Sequence, residues 1–237
     1  MRPRRLLLLA LLGALGSFSV RAQPVYYMTV TNQPGFNLIT CPLVVSPVNT
    51  IGTVLNNASG AFTGNIVYFY NNATGLYSED NALPVGTGKG KTSNANGWAL
   101  GGTNVLSPGT ACWFENRLGT NVVVTFVGSV LTGPVTNNLV AGFNLVGSML
   151  PMTGDLITNS VSSFTNYNLG DGIYVYDPVT GYANGTYLTD TSVGTKGQHT
   201  GYNGNWGSTG DPILPYVYSG FWYNNRVGIT VNWVENQ

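Results

Sequence analysis

Histidine occurs once in the 237 residues, at His199, and cysteine twice, at Cys41 and Cys112. These counts limit the chemistry available. A Ser-His-Asp relay needs a nucleophile held against the one histidine, and the chain has no Gly-x-Ser-x-Gly turn to present it. One histidine and two cysteines do not make a zinc ligand set. Nine carboxylates remain: Glu79, Asp80, Glu115, Asp155, Asp171, Asp177, Asp190, Asp211 and Glu235. Two of them could flank a glycosidic bond as acid and base or nucleophile. Most stand in turn-like stretches, where aspartate binds backbone N–H groups instead, so a carboxylate-dependent glycoside hydrolase ranks last among the readings. Calcium could be held by Asp171 or Asp177 with loop carbonyls, but the usual Asp-x-Asp-x-Asp run is missing. Residues 86–92, Gly-Thr-Gly-Lys-Gly-Lys-Thr, imitate a phosphate-binding loop. Val85 stands where that loop needs its first glycine, and no helix pattern follows. No cofactor, no metal and no catalytic residue is expected, and the chain reads as a non-enzyme.

Aromatic side chains are the stronger chemical signal. Sugars stack their C–H faces on aromatic planes, while amides and hydroxyls fix the sugar hydroxyls. Trp98, Trp206, Tyr77 and Tyr182 lie in or beside polar, asparagine-rich loops, with Tyr187, Tyr202 and Tyr216 in similar settings. The first four are the candidate ligand contacts. Packing is the alternative role for Trp98 and Trp206, and Trp113 and Trp222, inside strand-like runs, are assigned to the core.

The elements that must position them begin after a leader. Arg2, Arg4 and Arg5 precede the apolar run Leu6 to Leu15, and Val20-Arg21-Ala22 fits a cleavage site, so residues 1–22 read as a signal peptide for the general secretory route. Four of the nine basic residues leave with it, and five then face nine acids, a net charge of −4. No basic patch remains for nucleic acid. No second long apolar stretch offers membrane insertion after the signal is removed. The expected location is secreted or cell surface, with the periplasm possible, and the expected partner is a cell-envelope component, protein or polysaccharide.

Behind the leader the chain echoes itself. Gly-Phe-Asn-Leu-Ile at 35–39 returns as Gly-Phe-Asn-Leu-Val at 142–146. Val67-Tyr68-Phe69-Tyr70 returns as Ile173-Tyr174-Val175-Tyr176, and Trp113-Phe114-Glu115-Asn116-Arg117 as Trp222-Tyr223-Asn224-Asn225-Arg226. The order is kept, which predicts two β-rich repeats, 23–131 and 132–237. Runs of β-branched and aromatic residues bounded by Asn, Gly and Pro predict strands and hairpins. One short helix per repeat is expected, at Ile51, Val54 and Leu55 behind Asn49 or Thr50, and at Leu156, Ile157 and Val161 behind Thr153 or Asp155. The apolar run Val122–Val127 predicts a strand buried on both faces. Cys41 and Cys112 sit in strand-like segments of an exported chain and are expected to form a disulfide, two buried thiols being the alternative.

These motifs resemble an exported bacterial repeat that often begins G-W-N-L-I-S-x-P and ends P-G-x-G-Y-W-V. The resemblance spans nearly all of residues 35–234. It implies a β-barrel or β-sandwich surface module and supplies no catalytic residues. The chain departs from it at Ala111-Cys112-Trp113 and Gly220-Phe221-Trp222, and at Cys41 before Pro42. The expected fold is thus all-β with one short helix per repeat, as two tandem barrel-like or sandwich-like units. The leading functional reading is an exported structural or adhesive protein, followed by a carbohydrate-binding module.

Overall fold

The computed structural model describes residues 24–156, 162–165, 171–182, 187–188, 212–226 and 228–236. They form an all-β protein of several antiparallel sheets, none closed into a barrel. In the first half, β1 (Tyr26–Asn32), β7 (Val122–Val130) and β3 (Leu43–Val44) make a three-stranded sheet in the order β1-β7-β3. Strands β2 (Gly35–Thr40), β6 (Ala111–Asn116), β4 (Ile66–Asn71) and β5 (Leu76–Asn81) make a four-stranded one in the order β2-β6-β4-β5. In the second half, β11 (Ser162–Thr165), β17 (Val231–Glu235) and β8 (Val135–Leu139) pair in that order. Beside them, β13 (Gly181–Tyr182), β12 (Gly172–Asp177), β16 (Gly220–Asn225) and β9 (Gly142–Gly147) form the larger sheet, and β14 (Tyr187–Leu188) also pairs with β12. The short strands β10 (Gly154–Asp155) and β15 (Ile213–Leu214) pair with each other.

Alternation along the strands sorts side chains between two environments. Val67, Phe69, Cys112 and Phe114 point into one apolar cluster with Val30, Val124 and Phe126 of the three-stranded sheet. Ile173, Val175, Phe221 and Tyr223 enter a second cluster with Leu139, Val231 and Trp233. The intervening residues, Tyr68, Tyr70, Trp113, Tyr174, Tyr176 and Trp222, therefore stand on the opposite faces of the two larger sheets. Strand β7 corrects one expectation. Val122, Val124 and Phe126 are buried, but Val123 and Val127 are exposed. Only one face of its sheet is covered, as antiparallel sheets commonly allow.

The recurring Gly-Phe-Asn motif has a local cause. Gly35 and Gly142 adopt φ of 92° and 88°, which a side chain would strain. Each lets the chain turn so that the asparagine two residues on can close the loop. Asn37 Oδ1 accepts the Gln33 N–H at 2.9 Å, and its Nδ2 donates to Gln33 O at 2.8 Å and Gly35 O at 3.0 Å. Asn144 Oδ1 accepts the Val140 N–H at 2.9 Å, and its Nδ2 donates to Val140 O at 2.7 Å and Gly142 O at 2.9 Å. Asn116 and Asn225 repeat in the same way, each amide donating to the carbonyl of a residue before this turn (Asn32 or Leu139) and to one four residues on (Thr120 or Ile229).

The helix expected near residue 51 is α1 (Ile51–Val54), with Thr50 at its N-cap. Behind Thr153 the chain instead pairs as β10, and residues 157–161 lie outside the described residues. The cysteines form no disulfide: Cys41 and Cys112 are free, buried thiols of the first cluster. Cys112 stands opposite Ile39, so Cys41, two residues further along, is its diagonal neighbour. Diagonal positions across a sheet lie about 7–8 Å apart, whereas bridged Cβ atoms lie about 3.8 Å apart. Burial pushes the Cys41 thiol up to about 12, and pushes Cys112 up as well.

Candidate functional site

The two larger sheets face each other through the side chains that alternation kept out of the cores. Leu38, Ala111 and Leu145 are buried between them, with Tyr70, Trp113, Tyr176 and Trp222 packed around. Backbone contacts tie the sheets together: Ile39 bridges Ser219 and Thr110 bridges Val146, and the Thr40 N–H donates to Tyr218 O at 2.9 Å.

At one side of this junction Phe36, Tyr68, Tyr77, Trp113, Tyr176 and Tyr182 line a solvent-open cleft of about 590 Å³. Register explains the company. Tyr68 and Leu38 both stand opposite Trp113, and Phe36 stands opposite Glu115. In the hairpins, Tyr70 is paired with Tyr77 and Tyr176 with Tyr182. Trp113 meets Phe36 at 6.1 Å and 87°, Tyr176 at 4.8 Å and 80°, and Tyr182 at 6.5 Å and 78°. Near-perpendicular contacts of this kind place ring edges on ring faces, the favoured aromatic geometry.

A smaller cleft of about 320 Å³ lies around Trp222, lined by Tyr70, Phe143, Tyr174, Tyr182 and Trp222. Its frame has the same geometry. Phe143–Tyr174 is 6.1 Å and 44°, against 6.1 Å and 43° for Phe36–Tyr68. Phe143–Trp222 is 5.9 Å and 90°. Tyr182 belongs to both clefts.

Electrostatics separate the two. Tyr68 Oη donates to Glu115 Oε2 at 2.7 Å, and Arg117 Nε lies 3.0 Å from Glu115 Oε1. Burial raises the Glu115 carboxyl, but the bonds from Arg117 and Tyr68 outweigh it and hold the group below the usual carboxylate range. At the corresponding place of the smaller cleft, opposite Phe143, stands Asn224. Burial pushes the Tyr77 and Tyr182 phenols up, with Trp113 and Trp222 respectively holding them down by hydrogen bonds. Burial and Asp177 raise Tyr176. Raised in this way, the Tyr77, Tyr176 and Tyr182 phenols stay neutral at physiological pH.

Of the four candidate contacts, Tyr77 and Tyr182 are in the cleft. Trp98 is not: it is 0% exposed and its indole N–H donates to Leu55 O at 2.7 Å, inside the first core. Trp206 lies outside the described residues, as do His199, Asp190 and Asp211. Phe36, Tyr68, Trp113 and Tyr176 were not expected as contacts. Trp113 and Trp222 are not the core residues that their strand-like runs suggest: they stand between the sheets and are only half-buried. The signal was the alternation itself, since Val67 and Phe69 being core residues forces Tyr68 and Tyr70 to the other face.

Several carboxylates are taken up by backbone. Asp80 accepts from the Leu100 N–H at 2.8 Å and the Gly102 N–H at 3.0 Å. Asp171 accepts from the Arg226 N–H at 2.8 Å and Tyr223 Oη–H at 3.0 Å. Asp177 caps the turn at Val179 and Thr180. Glu235 accepts from the Met149 N–H at 2.8 Å and the Leu150 N–H at 3.2 Å. Among the described residues, no three His, Cys, Asp or Glu side chains gather as a metal site would require. The Gly-rich stretch after Leu83 closes on itself through Thr92 N–H to Pro84 O at 3.0 Å and Gly86 N–H to Thr92 O at 2.9 Å. Compared with protein families, curated proteins and solved structures, the chain matches none.

Proposed function

We propose that the protein is an exported, non-catalytic adhesive protein of the cell surface or extracellular space, and that the aromatic cleft between its halves is where it holds its partner. The observation that carries this reading is the cleft: six aromatic side chains, drawn from two sheets, lie open to solvent where burial in a core would be expected for such surface. Asp80, Asp171 and Glu235 bind backbone N–H groups, and Glu115 is paired with Tyr68 and Arg117. We also infer that the chain is two tandem similar units. The matching asparagine loops and the matching ring distances around Trp113 and Trp222 support that reading.

Carbohydrate binding is the second reading. It draws support from Tyr77 and Tyr182, which offer flat faces and phenol hydroxyls at the same cleft. Trp98, buried in the first core, has no part in it. Retention of residues 23–237 on a panel of polysaccharides and envelope fractions tests both readings. Binding that survives Tyr182→Ala with Tyr77→Ala would remove the cleft from the account.

A further inference from the structure

The lining of the larger cleft narrows the ligand class, an inference that rests on the cleft being the binding site. Among the described residues, the six that line it present rings and phenol hydroxyls, with no amide and no charged group. Such walls recognise chiefly through their π faces, which attract sugar C–H groups or organic cations. A sugar also needs directional partners for several hydroxyls, and an amide or carboxylate in the wall would supply them. The rings, moreover, do not make a flat platform. Trp113 stands at 87°, 80° and 78° to Phe36, Tyr176 and Tyr182. Walls at right angles suit a rounded group that touches several rings at once.

Charge favours a cation. Tyr68 Oη–H donates to Glu115 Oε2 at 2.7 Å, and a phenol that donates to a carboxylate carries a more electron-rich ring. Arg117, 51% exposed, balances the carboxylate and also lies near the Tyr68 hydroxyl. What reaches the cleft is thus the enriched Tyr68 face more than a free negative charge. The smaller cleft repeats the rings without the carboxylate, with Asn224 in its place.

We propose that the cleft around Trp113 is an aromatic cage for a trimethylammonium group, such as the head of a choline ester. The test titrates residues 23–237 with choline chloride, and separately with 3,3-dimethylbutan-1-ol, its neutral isostere, at matched ionic strength. Heat and tryptophan fluorescence are both read. Choline should bind saturably, with the isostere about tenfold weaker, the size of a desolvated cation–π contribution. Tyr182→Leu should abolish most of that binding. Its ring is half exposed, so near-UV circular dichroism should verify an intact fold. Glu115→Gln should weaken choline by about two- to threefold through the Tyr68 ring alone. Equal binding of isostere and choline, or no saturable choline signal, overturns the proposal. If choline fails while Tyr182→Leu still loses envelope or polysaccharide retention, the cage falls and the binding cleft stands. If choline binds but retention is untouched by Tyr182→Leu, the cage stands and the adhesive reading falls.

Discussion

Trp113 of β6 meets Tyr176 of β12 edge-to-face, with ring centroids 4.8 Å apart at 80°. The converse pair, Tyr70 of β4 and Trp222 of β16, lies 4.7 Å apart at the same angle. Crossed pairing, in which a residue of one half meets the counterpart of its neighbour in the other, is the relation a two-fold axis produces between like surfaces. The bridges Ile39–Ser219 and Thr110–Val146 follow the same rule. If these contacts hold the halves together, a double-mutant cycle at Trp113 and Tyr176, each replaced by Leu, should give a coupling of about 0.5–1.5 kcal/mol in urea unfolding. The cycle at Trp222 and Tyr70 should give the same within error. Coupling near zero in both would mean that the rings are neighbours without energetic consequence.

Asn37 and Asn144 should cost the same to remove. Each closes one loop by three hydrogen bonds to corresponding backbone atoms. Truncation to alanine removes three part-buried hydrogen bonds at once, so either change should destabilise by about 1–2 kcal/mol in denaturant melts. A silent Asn144→Ala beside a costly Asn37→Ala would break the equivalence.

Close approach of the sheets makes Gly147 sensitive. A Cβ there would overlap the Thr40 side chain. Gly147→Ala should destabilise by about 1–3 kcal/mol, and Thr40→Gly, which removes the Cβ it meets, should make the double variant less destabilised than the sum of the two single changes. Gly119→Ala, with open space around it, is the control and should be neutral. An equally neutral Gly147→Ala would deny the tight junction.

Glu235 gives the fold a pH dependence. Burial raises its carboxyl above the usual range, while Met149 N–H, Ser148 Oγ–H and Leu150 N–H hold it down without cancelling the rise. Ser148 Oγ–H has both the Leu150 carbonyl and Glu235 within reach, and one proton cannot serve both. The folded protein therefore binds this proton more tightly than the unfolded chain does. By linkage, the stabilisation is present at acid pH and is lost as pH rises from the unfolded value, about 4.3, through the folded one. Glu235→Gln should flatten that slope in unfolding midpoints measured between about pH 4 and 8. An unchanged slope would assign the dependence to another group.

Much of the fold was legible as period-two alternation, and α1 as a short apolar repeat behind Thr50. The β7 run read as doubly buried, because continuous apolar sequence does not reveal which face lacks a covering layer. The sequence offered the two thiols as bridge partners, but strand register made them diagonal neighbours. Gly-Phe-Asn was visible as an echo, whereas its cause, an amide closing a loop beside a positive-φ glycine, needs three dimensions. The cleft was the hardest to foresee. Tyr77 and Tyr182 stand out in the sequence as loop aromatics, but their company comes from strands far apart in sequence, and no local pattern announces a meeting of two sheets. Trp98 looked like a loop residue, yet its indole N–H found a buried carbonyl at Leu55.

The most direct measurement is the retention of residues 23–237, wild type beside Tyr77→Ala with Tyr182→Ala, on polysaccharides and envelope fractions. Both rings are about half exposed, so the folded core should survive their loss. The account predicts retention of the wild type on at least one fraction and its loss in the variant, with cooperative unfolding kept and the midpoint lowered only by the loss of the Tyr70–Tyr77 and Tyr176–Tyr182 ring contacts. Retention that is equal in the two proteins would contradict it, because the contact would then lie away from the aromatic cleft.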